Sequence, residues 1–205
     1  MEITKKKKTL LLGITCLVLI GIGTLLHNRN IENNTKDVVI CAKIDEYNSA
    51  EELRNASDIV VAGVKSSESD STFVYSADGE TLLCAYTLSD FTISETLEGT
   101  KDSNISKTIK VLENEFYDAE TDTNYHIAGY SKMIINKPYV LYLTYSEEND
   151  WYIPTGVITG KIPVDEKEEV IVDDIEKSSK ENVEKVISSV RNTYDFDSIK
   201  NKCKK

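Results

Sequence analysis

The sequence predicts a mostly β domain with flanking helices, carried behind a membrane-spanning segment. Runs rich in valine, isoleucine, threonine and tyrosine recur between residues 59 and 162. Turn-forming residues separate these runs, as is typical of strands. Apolar residues at helical spacing precede and follow the runs. Residues 9–26 form an almost uninterrupted apolar stretch, which decides how the rest of the chain is interpreted.

The apolar stretch of residues 9–26 follows four consecutive lysines at positions 5–8. About 18 residues at ~1.5 Å per residue nearly match a bilayer core of roughly 30 Å. Lysines before such a stretch favour a cytoplasmic amino terminus. A cleaved signal peptide and a lipoprotein signal are the alternatives. We favour an uncleaved anchor, because no small residues follow Leu26 and because Cys16 lies too deep in the stretch.

The anchor divides the chain into a cytoplasmic basic segment (1–8), a membrane span (9–26), a polar spacer (27–36) and an extracytoplasmic remainder. The prediction is a single-pass protein of the cell membrane. Residues 1–29 contain five lysines and arginines and one glutamate, whereas the remainder contains 19 basic and 34 acidic residues, a net charge of −15. Such an acidic surface argues against nucleic acid as a partner.

Three cysteines follow the anchor, at positions 41, 84 and 203. An oxidising exterior would allow one disulfide. Cys41 with Cys84 is the favoured pair, because Cys203 lies in a lysine-rich tail that is expected to fray. The alternative is that Cys41 and Cys84 are small buried residues. The chain has no Cys-x-x-Cys spacing and no phosphate-binding glycine pattern, so neither a zinc site of that type nor a cofactor is predicted.

Local patterns predict the elements of the β domain, which we place at residues 37–172. Ser49-Ala-Glu-Glu52 is a capping box that starts a short helix over residues 50–56. Gly63 predicts a bulge, and Asp78-Gly79 predicts a hairpin turn. A change in apolar alternation predicts a further bulge near Ser89-Asp90. Strands are predicted over residues 38–42, 59–64, 73–75, 81–97, 108–112, 139–145, 151–153, 156–162 and 170–172, with an acidic turn over residues 114–124.

A carboxyl-terminal helix is predicted within residues 173–195, followed by a basic tail, residues 196–205. Asp173 and Asp174 can cap this helix and favour its positive end. Its apolar residues share one face, so the helix is expected to pack on the sheet. The residues of that face are Ile175, Val183, Val186, Ile187, Val190 and Tyr194.

Four longer patterns suggest a family. They are Ala56-Ser-Asp-Ile-Val-Val-Ala-Gly63, Tyr86-x-Leu-x-x-Phe-x-Ile-x-Glu-x-Leu-x-Gly99, Lys137-Pro-Tyr-Val-Leu-Tyr-Leu143 and Gly156-x-x-x-Gly-x-Ile162. Together they resemble bacterial surface proteins whose domain is similar to the tissue-inhibitor-of-metalloproteinase, or netrin-like, barrel. The resemblance implies an OB-type Greek-key barrel of five strands.

The chain departs from that family at its amino terminus. In the animal inhibitors a free amino-terminal cysteine chelates the zinc of the target enzyme. Here Cys41 follows the anchor and the spacer. The resemblance therefore implies a fold, and no functional residue is carried over from it.

Few residues suggest catalysis or metal binding. His126 is the only histidine away from the anchor, and no nucleophile motif accompanies it. An ordinary, partly exposed strand histidine is the favoured interpretation. Asp118-x-Glu120-x-Asp122-x-Asn124 places oxygen-bearing side chains at alternate positions, as a weak candidate for calcium. A solvated acidic loop is favoured over a metal site, because the central glycine of an EF-hand is missing.

Aromatic residues are the better indication of binding. Tyr142, Trp151 and Tyr152 lie in one predicted hairpin, and Tyr142 alternates with Leu141 and Leu143. If both leucines face the core, Tyr142 faces solvent, with Trp151 at the adjoining turn. Exposed tyrosines suit peptides or glycans. The alternative is that these rings belong to the core and to an ordinary outer sheet face.

The sequence therefore predicts a membrane-anchored extracytoplasmic binding module without catalysis. Its partner would be an envelope protein, a peptide or a glycan. A cell-envelope enzyme, or an enzyme inhibitor acting on a protease, is the alternative. A cleft that joins His126 to a carboxylate and a hydroxyl would favour an enzyme. An exposed aromatic face without buried polar residues would favour binding.

Overall fold

A computed structural model of the protein describes residues 35–99, 105–168, 170 and 177–204. Within these ranges the chain forms ten strands and three helices, which confirms the mostly β prediction with flanking helices. The helices are α1 (Ala50–Asn55), α2 (Lys177–Thr193) and α3 (Phe196–Lys202). The strands are β1 (Lys36–Ile40), β2 (Ile59–Glu68), β3 (Thr72–Tyr75), β4 (Leu82–Gly99), β5 (Thr108–Glu113), β6 (Glu115–Asp118), β7 (Thr123–Ile127), β8 (Pro138–Ser146), β9 (Trp151–Pro154) and β10 (Lys161–Pro163).

Five strands pair in a closed circuit. β2 lies between β8 and β4, and β4 pairs with β5, all in antiparallel register. β5 runs parallel to β9 at Val111 and Tyr152, and β9 returns to β8 in antiparallel register. β10 pairs with the first half of β8, and β3 pairs with the first part of β4. A separate three-stranded sheet has the order β1-β7-β6.

The core lies on both sides of β2 and β8. One cluster draws apolar residues from all five strands of the circuit, among them Phe91, Val111 and Leu141. A second cluster joins the opposite faces of β2 and β8 to the helices. Strands buried on both faces become continuously apolar, which explains the uninterrupted apolar runs at the start of β2 and in β8. The helix residues of the second cluster include Leu53, Val186, Val190 and Ile199.

Several local predictions are confirmed. The Ser49 hydroxyl accepts a hydrogen bond from the Glu52 amide at 3.2 Å, and α1 begins at the next residue. The Glu52 carboxylate reaches back to the Asn48 amide, at 2.8 Å, rather than to that of Ser49. The register between β2 and β4 shifts next to Gly63, as predicted, but the extra residue of this bulge is Ser94 on β4. A Cβ atom at Gly63 would lie 2.2 Å from the Thr92 carbonyl oxygen, so only glycine fits.

Other local predictions are wrong. Residues 114–124 contain β6 and the start of β7 rather than only a turn, because both strands pair in the sheet with β1. The basic tail is helical: Asp195 caps α3 through the Ser198 amide at 3.0 Å, and Ile199 is buried. Most of residues 156–162 forms turns, with β10 as a short strand. The second predicted bulge lies on the partner strand, opposite Asp90 rather than at it.

The cysteine prediction is also wrong. Cys41 and Cys84 are both free and exposed, so they form no disulfide and are not buried. Cys41 follows β1 in the three-stranded sheet, whereas Cys84 lies on the strand pair of β3 and β4. Cys203 is half-buried beside the core, with its sulfur 3.8 Å from the Gly63 carbonyl oxygen.

Some predictions fall on residues outside the described ranges. They are the cytoplasmic segment 1–8, the anchor at residues 9–26, most of the spacer 27–36, residues 171–172 of the last predicted strand, the helix caps Asp173 and Asp174, and Ile175 of the helix face. In the part of the chain that the structure does describe, no helix has the length and apolar character needed to cross a membrane.

Candidate functional site

A fully buried ion pair lies where the apolar core ends. The Lys65 ammonium is 3.1 Å from a Glu113 carboxylate oxygen, and neither side chain has any exposed surface. Glu113 lies two residues beyond Val111 on β5, so both face the core. Lys65 also contacts Glu68, at 2.5 Å, and donates to the Met133 carbonyl at 2.7 Å. Several partners for each charge offset the cost of removing it from water.

Glu113 is the acceptor at the centre of this network. One carboxylate oxygen accepts from the Ser89 hydroxyl at 2.6 Å. The other accepts from the Tyr130 hydroxyl and from the Met133 amide, the latter at 3.2 Å. Burial, and then the charge of Glu113, raise the pKa of Tyr130 well above its ordinary value. The tyrosine therefore stays a neutral donor, and the carboxylate stays the acceptor.

The irregular segment 131–134, between β7 and β8, is held by the same network. Its backbone has no strand partner over these residues, so side chains must satisfy its polar groups. Three hydrogen bonds join the two Met133 contacts described above. The Lys132 amide donates to the Glu115 carboxylate at 2.8 Å, and the Ile134 amide donates to the Tyr139 hydroxyl at 2.7 Å. The Lys161 ammonium donates to the Ser131 carbonyl. These contacts thus fix the segment 131–134, in which only Met133 is buried, against the sheet.

His126 links the network to β1. Its Nε2 lies 3.1 Å from the Asp37 carboxylate, and its Nδ1 lies 3.2 Å from that of Glu115 and 3.0 Å from the Tyr130 carbonyl. Burial opposes protonation, but the hydrogen bonds to Glu115 and Asp37 outweigh it and raise the pKa of His126 to about 9. The imidazolium therefore joins β1, β6 and β7 at neutral pH. This histidine is buried, so the prediction of a partly exposed one is wrong.

Lys161 is a second fully buried lysine. Its ammonium lies 4.4 Å from the centre of the Tyr130 ring, as in a cation–π contact. Burial lowers the pKa of Lys161 to about 8, although Glu113 and Glu168 act in the opposite direction. A lysine with such a pKa is a competent nucleophile where a substrate can reach it. Lys161 has no exposed surface, so no substrate can reach it in this conformation.

The network is therefore suited to structure rather than to catalysis. A general base needs a nitrogen or oxygen with a free lone pair that can contact substrate. Both nitrogens of His126 already contact carboxylates, and the ring is only 4% exposed. A network of satisfied buried charges instead specifies one arrangement of the segments that it joins.

The three predicted ligand-binding aromatics do not form one patch. Tyr142 has no exposed surface and packs in the cluster between β8 and the helices, so the prediction that it faces solvent is wrong. Its alternation with the leucines is correct, but the opposite face of β8 is covered as well. Trp151 and Tyr152 are half-buried, and their rings pack against Tyr86 at 5.2 Å and Tyr145 at 5.0 Å.

Tyr152 also lines a cleft of about 460 Å³ with Tyr145, beside the turn between β8 and β9. The charged groups of this cleft already have partners. The Tyr145 hydroxyl donates to Asp150 at 2.6 Å, and Lys110 pairs with Asp90 at 2.7 Å. Ligand binding here would have to break these contacts or rely on the tyrosine rings alone.

The acidic segment proposed for calcium is the turn between β6 and β7. Asp118 accepts from the Glu120 amide at 2.9 Å and from the Thr121 hydroxyl at 2.8 Å, and Asp122 accepts from the Tyr117 hydroxyl. The Asn124 amide donates to Asp37. Within the described ranges, no three His, Cys, Asp or Glu side chains are grouped so that they could hold a metal ion.

The largest exposed apolar side chains lie on the strand pair of β3 and the first part of β4, which we call the β3–β4 hairpin (residues 72–86). Leu83 is 63% exposed and Tyr75 is 52% exposed. The register shifts after Val74, leaving Leu83 as the extra residue of a bulge. Several exposed large apolar side chains on one short ribbon are typical of a contact surface. Val74 and Leu82 complete the cluster.

The base and the tip of the β3–β4 hairpin are both well ordered by local contacts. At the base, the Phe73 ring meets Phe116 edge-on at 5.7 Å, and the Ser71 hydroxyl accepts from the Tyr117 amide at 2.8 Å. At the tip, Gly79 has a φ of +76° and donates to the Ser76 carbonyl at 2.8 Å. The exposed apolar residues are therefore presented on a fixed ribbon.

Reasoning from the sequence missed both features. The alternation of Ile109 and Val111 continues to Glu113, so a signal for a buried carboxylate was present in the strand pattern. On β2, Lys65 shares the parity of Ile59 and Val61, which face the same cluster, so a signal for the buried lysine was present as well. The exposed hairpin had no such signal, because Leu82 and Leu83 look like core residues in an apolar strand.

Comparisons with known proteins add neither a family nor an activity. No protein-family model, no curated protein and no solved structure matches this chain.

Proposed function

We propose that the chain is a membrane-anchored, extracytoplasmic binding module without catalytic activity, and that the β3–β4 hairpin contacts a partner protein. The observation that carries this proposal is the exposure of Val74, Tyr75, Leu82 and Leu83 on one two-stranded ribbon. Two-stranded ribbons are marginally stable by themselves. Large apolar side chains that face solvent on such a ribbon do not contribute to the core, so contact with a partner explains them better than a role in folding.

An OB-type barrel is the finer fold that we propose for the domain. The closed circuit β2-β4-β5-β9-β8 supports it, since five strands joined in this order match the barrel that the resemblance implies. In such barrels the loops after the first and fourth strands take part in binding. The β3–β4 hairpin follows the first strand of the circuit, and the turn before Trp151 follows the fourth.

The chemistry of the β3–β4 hairpin indicates the kind of partner. Residues 69–86 contain Asp70, Asp78 and Glu80 and no lysine or arginine. Among the described strands, β3 pairs only with β4, so its other edge is open to strand addition. We expect a protein partner that combines an apolar surface with basic groups around it.

Site-specific cross-linking in intact cells tests this proposal on the full chain. A photoactivatable residue at position 83 should give one discrete cross-linked species. The same residue at position 185, which is exposed on α2, should give none. The substitution Tyr75→Ser should weaken cross-linking from position 83 without changing the melting temperature. Equal cross-linking from both positions, or none from position 83, would contradict the proposal.

The alternative function, a cell-envelope enzyme or protease inhibitor, has no supporting geometry in the described residues. His126 lies beside two carboxylates but in no cleft. The criterion for binding is met only in part, since exposed aromatic residues occur together with buried polar ones.

A further inference from the structure

A basic cleft lies beside α3, the last helix of the chain. It shares no residue with the β3–β4 hairpin. Its volume is about 410 Å³, within the range of small-ligand sites. Four separate segments form its walls: Val64 of β2, residues 136–138 at the start of β8, the residues after β10 and the end of α3. The charged residues of its lining are Lys137, Asp165, Lys200 and Lys204.

The positive charges of the cleft are not used in ion pairs. Among the described residues, the lysines shown in ion pairs with carboxylates include Lys65, Lys110, Lys132 and Lys202, and none of these lines the cleft. Three lysines, at positions 137, 200 and 204, line the cleft, against the single carboxylate of Asp165. The Lys167 amide, and then the charges of Lys137 and Lys200, hold the pKa of Asp165 below its usual value. The cleft therefore carries an excess of about two positive charges in a chain whose net charge is −11.

The backbone around these lysines is fixed. The Lys137 amide donates to the Ile134 carbonyl at 3.1 Å, and its carbonyl accepts from the Lys65 amide at 3.3 Å. The Val164 amide donates to the Pro138 carbonyl at 3.0 Å, which joins two walls of the cleft. Lysines in the last turn of a helix are stabilised by the negative end of the helix dipole. That effect accounts for Lys200, but it does not account for Lys137, which comes from a different segment.

We infer that this cleft binds a phosphate group, either of a free phosphate ester or of a lipid headgroup. Lysine is a common phosphate ligand because its ammonium acts as a compact point charge. Two excess positive charges match a phosphate dianion. The proposal is independent of the β3–β4 hairpin, since the two surfaces share no residue.

The test uses the full chain in nanodiscs of neutral lipid, at constant ionic strength. Inorganic phosphate and glycerol phosphate should raise the melting temperature. The double variant K137Q/K200Q should lose this shift or bind at least tenfold more weakly. The exposed Lys185, on α2, provides the control K185Q, which should respond like the wild type. D165N should bind more tightly, because it removes the one carboxylate among the described residues that line the cleft.

A second arm distinguishes the source of the phosphate. Vesicles of phosphatidylglycerol in phosphatidylcholine are compared with phosphatidylcholine alone, for the wild type and for K137Q/K200Q. Loss of vesicle binding in the double variant, without a response to glycerol phosphate in the wild type, would assign the phosphate to lipid. If neither arm differs between the wild type and K137Q/K200Q, the inference is wrong.

Discussion

Single residues show how this domain tolerates charge in its interior. Removing a lysine and a glutamate from water costs several kcal/mol each, and their attraction compensates only when hydrogen bonds satisfy the remaining atoms. Lys65 and Glu113 meet that condition, because each contacts at least two further polar groups. We therefore expect that removing either Lys65 or Glu113 alone strongly lowers the free energy of unfolding.

The first prediction concerns this pair. Lys65→Met should lower the free energy of unfolding by about 3–5 kcal/mol, because it leaves Glu113 buried without a countercharge. The double variant Lys65→Met/Glu113→Leu should recover part of the loss. Urea denaturation followed by circular dichroism gives both values.

The matched control is the exposed pair of Lys110 and Asp90, at 2.7 Å. Lys110→Met should cost no more than about 1 kcal/mol, since surface pairs contribute little. Equal losses for Lys65→Met and Lys110→Met would mean that the buried pair does not stabilise the fold.

The second prediction is a pH dependence caused by His126. Its pKa in the folded protein is about 9, above the ordinary value of 6.5. Its stabilising contribution is therefore complete below pH 6.5 and is lost as the pH rises through 9. The stability difference between the wild type and His126→Gln should shrink by about 3 kcal/mol between pH 6 and pH 10.

The comparison with His126→Gln is needed because Lys161 titrates in the same pH range. Its pKa is lowered to about 8, so its titration adds stability above that pH and opposes the effect of His126 in the wild-type profile. Subtracting the profile of His126→Gln cancels the contribution of Lys161. A difference that stays constant from pH 6 to pH 10 would show that His126 does not bridge Asp37 and Glu115 as an imidazolium.

At the scale of elements, α2 decides which residues of β8 are buried. Val186 and Val190 pack in the same cluster as Val140 and Tyr142, so the helix covers the face of β8 that the sequence analysis assigned to solvent. The other face of β8 points into the circuit of five strands. α2 is therefore part of the core rather than an addition to its surface.

The third prediction tests this packing. Val186→Asp should lower the free energy of unfolding by several kcal/mol, because it places a charge without a partner in a fully buried position. Lys185→Asp, one residue away on the exposed side of α2, should change it by less than about 1 kcal/mol. Thermal unfolding of both variants is sufficient. An unchanged melting temperature for Val186→Asp would mean that α2 is not packed on the sheet in solution.

At the scale of the whole molecule, the domain is proposed to face outward on an uncleaved anchor. The evidence is the lysines at positions 5–8 before the apolar stretch at 9–26, and the absence of small residues for cleavage after Leu26.

The fourth prediction follows from that topology. Protease added to intact cells should remove the domain while the cytoplasmic segment stays protected. Mass spectrometry of the mature protein should find an amino terminus at or near Met1. A soluble form that begins after Leu26 would contradict the anchor and would favour a cleaved signal peptide.

The sequence by itself determined most of the elements. Strands such as β2 and β8 were recognisable because β-branched and aromatic side chains favour extended backbone locally. The start of α1 at Ser49 was recognisable because a capping box involves only four consecutive residues. The apolar face of α2 followed from its period of 3.6 residues. Each of these signals acts within a few residues, so pairing between distant segments does not alter it.

Only the tertiary structure decided what surrounds each face. Tyr142 faces away from Leu141 as its position requires, but whether that face meets water depends on a helix some 40 residues later. Lys65 and Glu113 continue the core-facing alternation of their strands, but only the packing of β2, β4 and β5 brings them together as an ion pair. Leu83 looks like a core residue until its strand extends beyond the sheet. Local alternation shows which residues of a strand share a face, but whether that face is buried depends on contacts between segments far apart in the chain.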